Sequence, residues 1–231
     1  MKQTFAFALL FTMCTVAFSQ RRDRIINLEN IDKKPLSWGY FLGFNQYDFK
    51  IENNTTDSFQ TAKTSGFNVG LVGEVRLHEH FDLRLEPGLY FTTRTIGFPF
   101  NPLFSSERDQ IREVKSTYIH VPLLLKVSAK RYYNWKPFLV GGVSTSLNLS
   151  SNQDNPEDND SGTFRMKKNT YYYEVGIGID FYTHYFKFTP SVRGVFAIND
   201  ELVRDNDPNS PWTSGIDALY TRGIFVNFTF E

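Results

Sequence analysis

Apolar and polar residues alternate with a period of two in eight separate segments, and this pattern limits the possible folds most strongly. In the second segment, for example, Phe67, Val69 and Leu71 alternate with polar or small residues. A period of two places successive side chains on opposite faces of a β-strand, so the sequence predicts an all-β protein. The predicted strands cover about Leu36 to Ile51, Gly66 to Leu77, Phe81 to Phe91, Lys115 to Ala129, Trp135 to Leu149, Asn169 to Phe181, Tyr185 to Ile198 and Leu219 to Phe230.

The connections between these segments alternate between long and short. The long ones are Glu52 to Ser65, Gly97 to Glu113, Ser150 to Lys168 and Asn199 to Gly215, and short breaks lie near His78 to His80, Lys130 to Asn134 and Thr183. Outer-membrane barrels show this rhythm, with short periplasmic turns and long external loops. The sequence therefore predicts an eight-stranded antiparallel up-and-down transmembrane β-barrel with both chain ends on the periplasmic side.

Composition agrees with crossing a membrane by strands. The chain holds 23 Phe and 12 Tyr, yet its mean hydropathy is −0.36, as expected when apolar and polar residues alternate. After the N-terminal segment, no uninterrupted apolar stretch is long enough for a membrane helix. The formal charge is zero, which argues against a nucleic-acid partner.

The N-terminus has the features of a secretory signal peptide. Lys2 precedes an apolar stretch from Phe5 to Phe18, and Ala17 and Ser19 form a small-x-small cleavage site. We predict a signal peptide over residues 1–19, a periplasmic lead-in over 20–35 and an outer-membrane barrel over 36–231. A signal anchor and a lipoprotein signal that uses Cys14 are the alternatives. If cleavage follows Ser19, no cysteine is left.

A small barrel has an interior just wide enough for side chains. Because a sheet in hydrocarbon must close on itself, the apolar faces of the strands are expected to meet lipid and the polar faces to fill the lumen. Acidic and basic residues are mixed on the polar faces, which predicts a paired network and argues against an open pore. The predicted lumen charge network is Glu74, Arg76, Arg84, Glu86, Lys126, Glu174, Asp180, Arg193 and Arg222.

Alternation alone does not separate this barrel from a soluble one whose apolar face points inward. The signal peptide, the loop rhythm and the last strand favour the membrane form. That strand has an aromatic residue at Phe230, like the terminal signal read by the barrel-assembly machinery, although Glu231 follows it. The register of the fifth strand is the least certain, because Phe138 and Val140 lie opposite Leu139 and its neighbours.

The sequence predicts no catalytic residues, no cofactor and no metal site. His78 and His80 could share a metal, but no further ligands accompany them, so a solvated turn is favoured. His120 could pair with a serine and an acid, as in small outer-membrane lipid hydrolases, but no serine stands out and a hydrogen-bonding role in the lumen is favoured. The acidic stretch Asp154 to Asp160 lacks the spacing of a calcium loop.

Two segments resemble the PorT/SprT family. The first is Lys33 to Asn45, with Lys33-Lys34-Pro35 before Trp38-Gly39-Tyr40, and the second is the last loop, Asn199 to Gly223, with Pro211-Trp212-Thr213. The resemblance covers essentially the whole predicted mature chain. It implies a component of the Bacteroidetes type IX secretion system, acting in protein export and, in gliding species, in motility. It carries over no catalytic residues. The candidate partner-contact residues in that loop are Leu202, Pro211, Trp212 and Thr213.

Three functions follow as expectations. The first is a non-enzymatic interaction protein in the outer membrane, whose loops or periplasmic ends contact other secretion components there or in the periplasm. The second is an enzyme that modifies lipid A or phospholipid. The third is a small passive channel or adhesin. Membrane lipid is an expected partner in each case.

Overall fold

A computed structural model describes residues 25–53, 59–99, 101–102, 104, 107–155 and 164–231. Within them the chain forms one antiparallel sheet. Its strands are β1 (Leu36–Asn53), β2 (Gln60–Lys63), β3 (Ser65–Arg76), β4 (Phe81–Leu85), β5 (Gly88–Gly97), β6 (Ile111–Ser128), β7 (Trp135–Asn148), β8 (Asn169–Tyr182), β9 (Lys187–Ala197) and β10 (Ile216–Phe230). A 3-10 helix, Ile31–Lys33, precedes β1, and a short helix α1, Glu107–Gln110, precedes β6.

The sheet closes into a ring because β1 pairs with both β10 and β3. Tyr40, for instance, lies opposite Phe230 on one side and Leu71 on the other. β4 and β5 each pair with β3 on one side and β6 on the other, and β6 to β9 each pair with the next strand in the chain. The small strand β2 extends one loop and pairs with β5. The predicted eight-stranded up-and-down barrel is confirmed.

The third predicted strand is interrupted rather than continuous. Pro87 separates β4 from β5, and proline has no backbone N–H to donate to a neighbouring strand. The register is nevertheless the same on both sides: Gly73 lies opposite Leu85, and Gly70 lies opposite Gly88. β4 and β5 therefore act as one strand of the ring.

The two faces of the strands have opposite chemistry. Trp38, Leu42 and Phe44 point outward and are exposed, whereas Phe41 and Asn45, which alternate with outward residues, are buried. Aromatic residues stack across neighbouring strands on the outer face, as Phe67 does on Phe91. Barrels with an apolar exterior and a filled interior show this division. None of the helices that the structure describes has the length and apolarity needed to cross a bilayer.

The fifth predicted strand, β7, has the same alternation of outward and inward side chains. Leu139 and Val143 face outward, while Phe138 and Val140 are buried inside. Phe138 fits there because Gly178 on β8 has no side chain. A Cβ atom on Gly178 would lie 2.3 Å from Cζ of Phe138. The inward aromatic ring is thus matched by an inward glycine.

The interior is filled in three levels. Charged side chains lie at the level of the short turns. Above them lies an aromatic layer, and above that an apolar cluster, here called the outer cap, closes the long-loop end. The aromatic layer consists of Phe41, Tyr47, Tyr90, Tyr118, Tyr172, Val195 and Phe225. The outer cap consists of Phe49, Ile96, Phe98, Val114, Phe164, Met166, Leu202, Trp212, Ile216 and Leu219.

Candidate functional site

Glu74 is the centre of the charged level. Its carboxylate lies 3.1 Å from Nη1 of Arg84, 3.1 Å from Nζ of Lys126 and 3.4 Å from Nζ of Lys187. Lys126 also pairs with Asp180 at 2.9 Å. These side chains are almost completely buried, so their opposite charges balance where water is scarce.

A second group of ion pairs continues toward the aromatic layer. Glu86 bridges Arg84 and Arg193, with Nη2 of Arg193 2.7 Å from its Oε2. Arg193 also lies 3.6 Å from Glu174. Predicted members of the network from five different strands are therefore brought together: Glu74, Arg84, Lys126, Asp180 and Arg193, with Glu86 in the interruption between β4 and β5 and Glu174 on β8.

Arg222 does not belong to this network, and its predicted position was wrong. It lies two residues before Ile224 and therefore shares the outward face of β10. Its guanidinium is exposed and pairs with Asp48 at 2.8 Å on the outside, near the long loops. Arg76 lies at the short-turn end, where Nη1 donates a hydrogen bond to the backbone oxygen of Asp32.

Sequence reasoning missed two members of the network, Lys187 and Glu231. Lys187 is the first residue of β9 and pairs with Glu74 and Glu231. Glu231 continues the inward–outward alternation after Phe230, so its side chain turns into the lumen beside Arg84, at 3.6 Å. Extending the period of two past the last apolar residue of the strand would have identified it. His120, for which the sequence favours a hydrogen-bonding role in the lumen, is buried there and lies 2.7 Å from Glu174.

The lead-in segment closes the short-turn end. Arg131, in the turn after β6, donates to the backbone oxygens of Asn27 and Leu28 and pairs with Asp32 at 3.4 Å. Its guanidinium also stacks 3.6 Å from the centre of the Tyr182 ring. These contacts hold residues 25–35 against the barrel mouth. The signal peptide and the cleavage site predicted at Ser19 lie outside the described residues.

The last long loop folds into the outer cap, which alters its expected role. Leu202, Trp212 and Thr213 are buried, and only Pro211 of the four candidate contact residues is partly exposed. Nε1 of Trp212 donates to the backbone oxygen of Asp109, and Arg112 lies over its ring. Three of the four side chains are therefore buried and are not available to a partner in this conformation.

Glu201 is the buried carboxyl of this loop. Its Oε1 accepts a hydrogen bond from the backbone N–H of Thr221 at 3.0 Å, whereas its Oε2 has no hydrogen-bond partner among the residues that the structure describes. Burial raises the pKa of Glu201 to about 7, although the nearby positive charge of Arg94 lowers it in part. Arg94 is itself fully buried, bonded to Thr221 and Tyr118 and stacked on Phe49.

The remaining positions that the sequence analysis considered are His78, His80 and the acidic stretch Asp154 to Asp160. The rings of His78 and His80 lie 6.3 Å apart in the turn before β4. Among the described residues, no group of three or more His, Cys, Asp or Glu side chains could hold a metal ion. Of the acidic stretch Asp154 to Asp160, residues 156–160 lie outside the described part of the chain.

Comparison with known proteins supports an outer-membrane assignment. A family model described as an outer membrane protein beta-barrel domain matches residues 18–203. A search of curated protein sequences finds no significant match. Among solved structures, outer membrane protein OprG from Pseudomonas aeruginosa is similar with a TM-score of 0.45 and 12% identity, covering 84% of this chain and 93% of that chain.

Two further solved structures are also similar. Neisserial surface protein A has a TM-score of 0.44 and 10% identity, with 85% of this chain and 98% of that chain covered. Ail, the attachment invasion locus protein of Yersinia pestis, was solved with the heparin analogue sucrose octasulfate. It has a TM-score of 0.38 and 11% identity, with 84% of this chain and 96% of that chain covered.

Proposed function

Since this chain belongs to the outer membrane protein beta-barrel family and is an outer-membrane protein, we propose that it is a non-enzymatic component of the type IX secretion system. It acts in protein export, and in gliding species in motility, through contacts with other secretion components. The resemblance of Lys33 to Asn45 and of Asn199 to Gly223 to the PorT/SprT family supports this assignment.

The observation that carries the non-channel part of the proposal is the filled interior. Buried ion pairs, the aromatic layer and the outer cap occupy successive levels of the lumen. Cargo does not fit through an eight-stranded barrel whose bore is occupied by its own side chains. The protein therefore acts through its outer surfaces, by contacts with other proteins.

The short-turn end, which is periplasmic in outer-membrane barrels, is the favoured contact surface. Ile25 and Ile26 in the lead-in are exposed. The neighbouring Asn27 is fixed to the barrel, because its backbone N–H donates to Oδ1 of Asn134 at 2.8 Å and its side chain donates to the backbone oxygen of Tyr182 at 3.0 Å. Apolar side chains on an anchored segment make a suitable contact for a periplasmic partner.

A deletion strain tests the proposal. It should lose secretion of type IX cargo while the lipid A mass spectrum and the phospholipid profile stay unchanged. Normal cargo secretion would refute the assignment, and an altered lipid A spectrum would support a lipid-modifying enzyme instead.

Complementation of that strain can locate the contact surface. The double variant I25D/I26D should fold and reach the membrane, because both side chains are exposed, but should restore secretion poorly. Leu149→Asp is the matched control, since Leu149 is an exposed aliphatic residue that follows β7 at the opposite end. If I25D/I26D and L149D restore secretion equally, the lead-in is not the contact surface.

A further inference from the structure

An apolar groove crosses the outer wall of the barrel near its periplasmic end. It has a volume of about 720 Å³ and is lined by residues of β6 to β10 and the start of the turn after β6, among them Ala129, Pro137, Ile179 and Pro190. Ala129 donates its backbone N–H to Pro137, and Pro137 lies opposite Ile179. The groove therefore runs across neighbouring strands rather than along one of them.

Small side chains between two rows of larger ones create this groove. On the side toward the bilayer centre, Leu139, Ile177 and Val192 lie opposite one another on β7, β8 and β9. On the side toward the periplasm, Trp135, Phe181 and Phe188 do the same. The row between them contains Ala129, Pro137, Ile179 and Pro190, so that only one of its four side chains is a large aliphatic one and the surface is lower there.

The floor of the groove is fixed by the backbone as well as by side-chain size. Gly178 presents no side chain, and the buried ring of Phe138 lies against it. Beside Gly178, the pairing of β8 with β9 is interrupted after Ser191, where Pro190 has no N–H to donate. The depth of the groove therefore comes from the backbone of the barrel wall and does not depend on the rotamer of any lining side chain.

Lys130 lies in the turn after β6, next in the chain to the groove residue Ala129. Its side chain is exposed. Within the part of the chain that the structure describes, no ion pair or hydrogen bond is recorded for its ammonium group, whereas the neighbouring Arg131 is occupied by Asp32 and the lead-in. A single free cation beside an apolar groove at the membrane interface matches one acyl chain joined to an anionic headgroup.

We propose that this groove is a binding site for an anionic phospholipid of the periplasmic leaflet. One acyl chain lies over Ala129, Pro137 and Pro190, and the headgroup phosphate pairs with Lys130. In a bilayer, lipid tails surround the apolar wall on all sides, so the preference for one chain comes from van der Waals fit and from the headgroup charge. The site is independent of the proposed secretion role.

Native mass spectrometry of the delipidated full-length barrel tests the proposal. Titration with phosphatidylglycerol should give one tightly retained adduct, and phosphatidylethanolamine should be retained more weakly. Ala129→Leu fills the groove from the outer face and should weaken phosphatidylglycerol binding about fivefold, through lost packing. The control is Gly73→Leu, which adds the same side chain to the outer wall at β3, where a Cβ atom meets nothing within 4 Å.

Lys130→Gln provides a second variant that changes no packing. It should reduce phosphatidylglycerol affinity about fivefold, the effect of one cation near the headgroups, and leave phosphatidylethanolamine binding unchanged. The proposal is overturned if the wild-type chain retains no phosphatidylglycerol adduct, if A129L and G73L bind it equally, or if K130Q binds both lipids as the wild-type chain does.

Discussion

Nε2 of His120 lies 2.7 Å from Oε1 of Glu174, and neither side chain reaches solvent. On the other side of the ring, Nδ1 lies 3.3 Å from Oγ of Ser146. A serine, a histidine and an acid in this order are found in hydrolases. Here, however, the histidine ring is packed edge-on against Tyr90 and Tyr172, inside the lumen and away from lipid. We therefore expect these three residues to stabilise the barrel.

Replacing His120 should destabilise the barrel far more than replacing Ser146. H120A leaves a cavity and removes one partner of the buried Glu174, for a loss of about 3 kcal/mol in the free energy of unfolding. S146A removes one neutral hydrogen bond and should cost about 1 kcal/mol. Urea unfolding in lipid vesicles measures both values. A catalytic role would be indicated if S146A left stability unchanged but altered the lipid profile of the cell.

The ion pairs of Lys126 predict that removing a cation from the lumen destabilises the barrel more than removing one from the surface. K126M leaves Glu74 and Asp180 with one cation fewer in a buried setting, so the free energy of unfolding should fall by about 3 kcal/mol. K115M breaks an exposed pair with Glu113, which water already screens, and should cause no measurable change. Equal unfolding curves for the two variants would contradict the importance of the lumen network.

Much of this network could be predicted from alternation, because each inward position follows from its neighbours. The error at Arg222 arose from placing it opposite Ile224, although the two residues share the same parity. The partners of each charge were not predictable, since Glu74 and Lys187 are 113 residues apart and meet only when the barrel closes. Closure thus determines which charges pair.

The outer cap was missed for a different reason. Long polar loops have no period of two, and the apolar residues in the last loop, such as Leu202 and Trp212, were interpreted as contact residues. In the structure Met166 and Leu202 form a β-bridge between two loops, which brings both into the cap. Contacts between loops depend on the finished barrel, so strand periodicity does not predict them.

Purified barrels should show no single-channel conductance in planar bilayers. Buried side chains fill the lumen at the charged level and in the aromatic layer, where the ring of Phe225 contacts both Tyr47 and Tyr90. Wild-type protein should therefore give only the baseline current at about 0.15 M salt, the physiological ionic strength. Discrete current steps would favour the passive-channel alternative and contradict the closed lumen.

Glu201 should make the stability of the barrel depend on pH. Its pKa is about 7 in the folded chain against 4.5 when solvated, so the folded state binds more protons between these values. The free energy of unfolding should therefore fall as the pH rises through this window, by about 3 kcal/mol in total, and remain low above it.

Glu201→Gln is the matched control for this pH effect. Glutamine keeps an oxygen to accept the N–H of Thr221 but does not ionise, so the difference between E201Q and wild type should grow from pH 4.5 to 7. Urea unfolding across this range measures it. If the two proteins show parallel pH profiles, then the pKa of Glu201 is the same in the folded and unfolded chains, and the charge of Arg94 offsets the effect of burial.

Trp212 should contribute more to stability than any exposed tryptophan, because it packs the outer cap against Phe104 and donates a hydrogen bond to the backbone oxygen of Asp109. W212A should lower the free energy of unfolding by about 3 kcal/mol through the cavity that it leaves. Trp38 points outward and is 82% exposed, so W38A is the control and should have a clearly smaller effect.

Protease digestion of intact cells provides a second readout, since a loosened cap should expose the last loop in W212A alone. Resistance of W212A equal to that of wild type would show that the loop is held by its polar contacts, such as the pair of Arg165 with Asp205 at 3.0 Å.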